Sequence, residues 1–213
     1  TRMTAQICII DYGMGNIGSV RNAFAALGVS AQVSSAREDM AAAQAIVLPG
    51  VGAFGEAMSN LTALDLIGPL HEQVVEQGKP FLGFCLGMQL IAQSSTERGE
   101  HTGLGWIPGT VVPVPTGDGL DVPHVGWSDL QFDAGDPAFS RITAESCFYF
   151  DHSFTLRTNP DLVIATADYG TPLTAMVRHK NIIATQFHPE KSQRAGLKLL
   201  RNFTNIFAAR EVA

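Results

Sequence analysis

Cysteine is scarce: Cys8, Cys85 and Cys147 are the three thiols in 213 residues, odd in number and never in a C-x-x-C pair. That spacing supports neither a disulfide framework nor a zinc site, so no metal is expected and a reducing compartment is. Basic charge is also in short supply. Fourteen Lys and Arg stand against 20 Asp and Glu, with no basic run, and the net charge of −6 is the wrong sign for a phosphate-backbone partner. No apolar stretch approaches membrane-spanning length, and the run Ile7–Ile10 is too short for a secretory signal. The chain therefore reads as soluble and cytoplasmic, with neither a nucleic-acid nor a membrane partner. Repeats and low-complexity linkers are missing too, so residues 1–213 are expected to form one domain.

What is present is core-forming material, 46% hydrophobic against 16% charged residues. Strand-like runs at 7–10, 31–33, 45–48 and 80–84 alternate with amphipathic runs at 20–27 and 70–77. This predicts an α/β fold with a mostly parallel central sheet flanked by helices. Gly28 and Gly78 follow the helical runs, where a left-handed cap residue is wanted. Between residues 107 and 167 short β-prone runs are punctuated by Gly, Pro and Asp, which predicts a small antiparallel or mixed section. Strand-like 175–179 and 182–187 lead to a final helix in which Ala195, Leu199, Leu200, Phe203, Ile206 and Phe207 share one face.

Four segments are candidates for chemistry. Gly13-Met14-Gly15-Asn16-Ile17-Gly18 matches G-x-G-x-x-G, yet no acid stands at the tip of the second strand, where Ser34 and Ser35 follow Val33. A tight βα turn or a partner surface is the better reading, and no cofactor is expected. Gly83-Phe84-Cys85-Leu86-Gly87 is a nucleophile elbow with cysteine at its apex, against the alternative of a buried cysteine in an ordinary βα turn. Its glycines remove side chains where the backbone crowds itself, and the helix start offers N–H groups to an oxyanion. A thiol needs a base, and the base needs a carboxylate to fix its tautomer. His188-Pro189-Glu190 supplies both, since residues two apart in extended chain point to one side.

His71, His101 and His179 are expected at the surface. His124 and His152 are better rivals, but His124 has no nearby acid and Asp151 would face away from His152. Lastly, Pro49-Gly50-Val51-Gly52 ends a strand with a backbone that reorients cheaply, a candidate oxyanion strand.

Together the elbow, extended by Met88-Gln89, and the His188-Pro189-Glu190 segment resemble the class I, triad-type glutamine amidotransferases. Within that family the resemblance is to the glutaminase subunits of imidazole glycerol phosphate synthase. It rests on residues 11–16 and 49–54, Pro123-His124-Val125-Gly126-Trp127, Tyr149-Phe150-Asp151-His152-Ser153 and residues 187–192. The resemblance implies a catalytic triad of Cys85, His188 and Glu190 acting on L-glutamine through a glutamyl thioester. It implies an oxyanion hole from the Leu86 N–H and a reoriented Val51-Gly52 peptide, with Gln89 holding the substrate.

The same resemblance implies a (β/α)8 cyclase as heterodimeric partner, which receives ammonia through a channel and makes imidazole glycerol phosphate and aminoimidazole carboxamide ribonucleotide. Asn16, Trp127, Tyr149 and Lys191 match interface positions, although composition alone reads Trp127 and Tyr149 as ordinary packing. Asp151 stands where the family has an apolar residue, and Ser128 where it has asparagine. A glutaminase serving another synthase, and a non-catalytic glutamine-binding module, are the competing readings.

Overall fold

A computed structural model describes residues 7–210 apart from residues 116 and 118. Its first half is a βα series. β1 (Ile7–Ile10) leads to α1 (Ile17–Ala26), β2 (Ala31–Ser34) to α2 (Arg37–Ala42), and β3 (Ala45–Leu48) to α3 (Phe54–Ala63) and α4 (Ile67–His71). β4 (Phe81–Phe84) then runs into the short α5 (Leu86–Leu90). β1, β3 and β4 are buried at every position, which is why they read as unbroken apolar runs; β2, at the sheet edge, is half-buried throughout. The helix expected at 70–77 begins at Ile67 and continues as a π-helical turn over Glu72–Glu76.

In the second half, β5 (Ser94–Ser95), β6 (His101–Thr102) and β7 (Thr110–Pro113) are followed by β8 (His124–Asp129), β9 (Gln131–Phe132) and β10 (Cys147–His152). β11 (Phe154–Arg157), β12 (Val163–Asp168), β13 (Pro172–His179) and β14 (Ile182–Thr185) precede the closing helix α6 (Gln193–Arg210).

One eight-stranded sheet runs β2-β1-β3-β4-β14-β13-β12-β9. It is parallel from β2 to β14 and antiparallel beyond. β12, expected in the added section, thus extends the main sheet. The added section is a β10-β8 pair and a four-stranded sheet β11-β7-β5-β6.

Period-two alternation sorts the central strands between two cores. Ile46, Leu48 and Phe81 face Phe54, Leu61 and Leu70 of α3 and α4. Ala45, Val47, Leu82 and Phe84 face Phe24 of α1 and Leu199 and Phe203 of α6. Full burial of an aromatic such as Phe24 or Phe203 is worth about 3 kcal/mol, so that face is the main hold on α1 and α6. Gly28 and Gly78 have φ of +71° and +68° with open space where a Cβ would go, so conformation alone selects glycine at both helix ends. Among the described residues, no helix is long and apolar enough to cross a membrane.

Candidate active site

Parallel strands end at a common edge, and the loops after β1, β3, β4 and β14 are the four segments singled out from the sequence. Cys85 follows β4 at φ +50°, ψ −106°, a backbone that side chains avoid unless surrounding contacts impose it. Those contacts are visible. The Cys85 N–H donates to the Thr185 carbonyl at 2.8 Å, and a Cβ on Gly87 would stand 1.8 Å from the Leu48 carbonyl oxygen. Only glycine lets α5 start this close to β3, and that proximity sets the elbow.

His188 is fixed at three points. Its N–H donates to the Tyr149 carbonyl at 2.9 Å, its carbonyl accepts from Ser192 Oγ at 2.6 Å, and its Nδ1 lies 2.8 Å from Glu190 Oε1. Ser192 Oγ also accepts the Tyr149 N–H at 3.0 Å and so ties the His188 turn to β10. The sequence placed Ser192 in the matching segment 187–192 but gave it no role. The expected pairing of His188 with Glu190 is present, but through a 3₁₀ turn over Pro189–Lys191 rather than an extended chain. Burial works against a charged imidazole here, yet the Cys85 sulfur and the Glu190 carboxylate outweigh it and hold the His188 pKa up at about 10. His188 Nε2 is buried and makes no hydrogen bond, which leaves it available for proton transfer.

A cleft of about 230 Å³ lies over Cys85, lined by Val51, Gly52, Leu86, Gln89, Glu97 and Asp151 among others. Glu97 is a residue the sequence reading missed; it sits in a polar loop without a motif, and its Oε2 accepts the Phe54 N–H at 2.9 Å. The larger groove lined by Thr155, Arg157 and Thr174 holds neither thiol nor imidazole. The loop after β3, the candidate oxyanion strand, is supported from below. Tyr12 donates its hydroxyl to the Pro49 carbonyl at 2.7 Å, and a Cβ on Gly15 would meet Gly50 Cα at 3.1 Å. Close packing under this loop therefore explains Gly15, while Gly13 is selected by its φ of +82°.

Of the rival bases, His152 lines the cleft but is committed: Nδ1 bonds the Phe154 carbonyl at 2.7 Å and Nε2 faces His124 Nδ1 at 2.9 Å. Burial drives its pKa down to about 4. His124 in turn bonds Ser128 Oγ at 3.0 Å. His71 is exposed as expected, whereas His101 and His179 are half-buried, and His101 lies in β6 against Phe54 rather than in a loop.

β8 and β10 place Trp127 opposite Tyr149, their rings 5.7 Å apart, with Lys191 Nζ 5.7 Å from the Tyr149 ring. Trp127 is 49% exposed, which sets aside the reading of ordinary packing for that residue. Asn16, also exposed, caps α1 by accepting the Ser19 N–H at 3.3 Å. Among the described residues, no group of three His, Cys, Asp or Glu is placed to hold a metal ion.

The sequence profile of the class-I glutamine amidotransferase family matches residues 8–206. The chain belongs to this family. It is 47% identical to the imidazole glycerol phosphate synthase subunit HisH of Lacticaseibacillus casei, over 94% of this chain and 95% of that one. Identity to the HisH subunit of Methanothermobacter thermautotrophicus is 46%, over 95% of this chain and all of the relative. Its fold matches a solved glutamine amidotransferase with a TM-score of 0.74 at 19% identity, covering 96% of this chain and 100% of the other. A putative GMP synthase subunit from Thermoplasma acidophilum matches with a TM-score of 0.73 at 22% identity, covering 100% and 98%. As a class-I glutamine amidotransferase the protein is an enzyme, and its cleft is lined by the Cys85 thiol, Gln89 and Glu97, with the His188–Glu190 pair beside the sulfur.

Proposed function

We propose that this amidotransferase is the glutaminase subunit of an imidazole glycerol phosphate synthase, with Cys85, His188 and Glu190 as its triad. Cys85 attacks the side-chain carboxamide of L-glutamine, and His188 hands a proton to the departing ammonia. A glutamyl thioester remains. Water, deprotonated by the same histidine, releases glutamate. Glu190 keeps the imidazole in the useful tautomer and stabilises its charged form. Leu86 and the Val51-Gly52 peptide supply oxyanion donors, while Gln89 and the carboxylate of Glu97 bind the polar ends of the amino acid.

The observation that carries this reading is the arrival of His188, bonded to Glu190 at 2.8 Å, at the strand edge where the elbow presents Cys85. The partner is a (β/α)8 cyclase, docked on the face bearing Trp127, Tyr149, Lys191 and Asn16, to which ammonia passes without entering solvent. Glutamate production by the purified protein, with and without the cyclase and its nucleotide ligand, tests both parts. Cys85→Ala is expected to abolish turnover in either condition; retained turnover contradicts the triad. Recovery of a different synthase from cell extract, with no response to the cyclase, would transfer the glutaminase to another pathway.

A further inference from the structure

Gln186 lies between β14 and the His188 turn and is wholly buried. A buried carboxamide is costly unless its donor and acceptor are both engaged. Gln186 Oε1 accepts from Gln89 Nε2 at 3.2 Å, and Gln186 Nε2 lies 3.7 Å from Cys85 Sγ. The direction of this chain is fixed by a backbone group. The Phe154 carbonyl can only accept, so the Gln89 atom 3.1 Å from it is the nitrogen. The Gln186 atom facing that nitrogen must then be its oxygen, which leaves the Gln186 N–H pointing at sulfur. His152 Nδ1, 2.7 Å from the same carbonyl, holds that anchor in place.

The sulfur also faces the His188 imidazole and, at 3.9 Å, the Asp151 carbonyl. The thiol donates its proton there. Once the proton is lost, that carbonyl turns a negative end towards a negative sulfur, whereas the Gln186 N–H becomes a charge-assisted donor. We propose that Gln186 sets the protonation and aim of Cys85, its side-chain N–H favouring the thiolate over the thiol. Being neutral, the amide keeps its donor at every pH, unlike the imidazole of His188. The titratable groups that share the surroundings of the sulfur are His188, Tyr12, Glu97, Asp151 and His152. The proposal rests on the glutaminase reading only in making Cys85 the nucleophile.

The test is the pH dependence of Cys85 alkylation by iodoacetamide in the intact protein, followed by mass of the Cys85 peptide, with exposed Cys147 as internal reference. Gln186→Glu retains an acceptor for Gln89 but replaces the donor by an anion. The midpoint of thiolate formation is expected to rise by about one pH unit or more, and kcat at neutral pH to fall about tenfold with KM nearly unchanged. An unchanged midpoint in a folded Gln186→Glu protein overturns the proposal. The wild-type protein provides a measurement that needs no folded Gln186 variant. The side-chain amide proton of Gln186 is expected to move downfield as Cys85 ionises and to stay still in Cys85→Ala. A flat response in the wild type also overturns the proposal. Glutamine turnover by Cys85→Ala is a separate outcome: it would defeat the glutaminase reading and leave the thiolate measurement to stand by itself.

Discussion

The Leu86 N–H donates to the Gly50 carbonyl oxygen at 3.3 Å, so the first donor after the proposed nucleophile is occupied by the chain itself. A tetrahedral oxyanion cannot use that donor until the Gly50–Gly52 backbone turns away. Gly52, at φ +116°, and the exposed side chain of Val51 are the adjustable part of the loop. The protein alone is therefore expected to hydrolyse glutamine slowly. Binding of the cyclase and its nucleotide ligand should raise kcat roughly 100- to 1000-fold, the worth of one oxyanion donor. Steady-state kinetics decide it, because a response confined to KM would mean that the donor was never limiting.

Glu190 and His188 form an almost fully buried pair. Since the His188 pKa is raised to about 10, its charged form contributes stability in full below the ordinary histidine value near 6.5 and loses that contribution as pH rises through 10. Glu190→Gln removes the partner. We expect a loss of about 3 kcal/mol at neutral pH that shrinks towards pH 10, together with a fall in kcat of at least about 100-fold. Denaturant melts at two pH values measure the first and glutaminase assays the second; an equal loss at both pH values would assign Glu190 a packing role.

His152 behaves in the opposite sense. With its pKa lowered to about 4, it disfavours protonation in the fold, so stability is complete above pH 6.5 and is lost as pH falls towards 4. The full loss is on the order of 3 kcal/mol. His152→Gln retains a donor for the Phe154 carbonyl without the titration, and its unfolding midpoint is expected to vary less between pH 7 and 4.5 than that of the wild type. A parallel decline in both proteins would place the acid sensitivity elsewhere.

The segments of the candidate site were more plainly legible in the sequence than several elements around them, and the difference has a physical basis. β3 and the elbow Gly83-Phe84-Cys85-Leu86-Gly87 were legible because burial on both faces and steric crowding each admit few residue types. α3 was not expected: its Gly, Ser, Asn and Thr are weak helix formers, and only Phe54, Ala57 and Leu61 mark its buried face. The two-residue strands β5, β6 and β9 are too short to show a period at all. The role of Ser192 and the presence of Glu97 stayed hidden because each bonds a backbone N–H more than 40 residues away, a relationship that leaves no local pattern.

Gly196 offers a way to disturb the base without touching it. On the first turn of α6, a Cβ there would stand 1.8 Å from the Pro189 carbonyl oxygen and 2.9 Å from Ser192 Cβ, the two residues that shape the His188 turn. Neither is the loose end of a flexible chain, so the methyl of Gly196→Ala must push the Pro189–Lys191 turn aside. Overpacking of this kind costs about 1–3 kcal/mol in stability. Displacement of a general base by about 1 Å costs on the order of 100-fold in rate. Both losses are expected together, with KM little changed. Gly68→Ala in α4 is the control: apart from its chain neighbours and the helix's own backbone, nothing lies within 4 Å of the added carbon. Because Pro69 follows, the clash with its ring offsets the helix-propensity gain, so stability should change by less than about 1 kcal/mol and turnover should stay wild-type. Should Gly196→Ala lose stability but retain kcat, the turn would be shown to absorb the methyl without moving the imidazole, and the positioning role assigned here to the α6 start would fail.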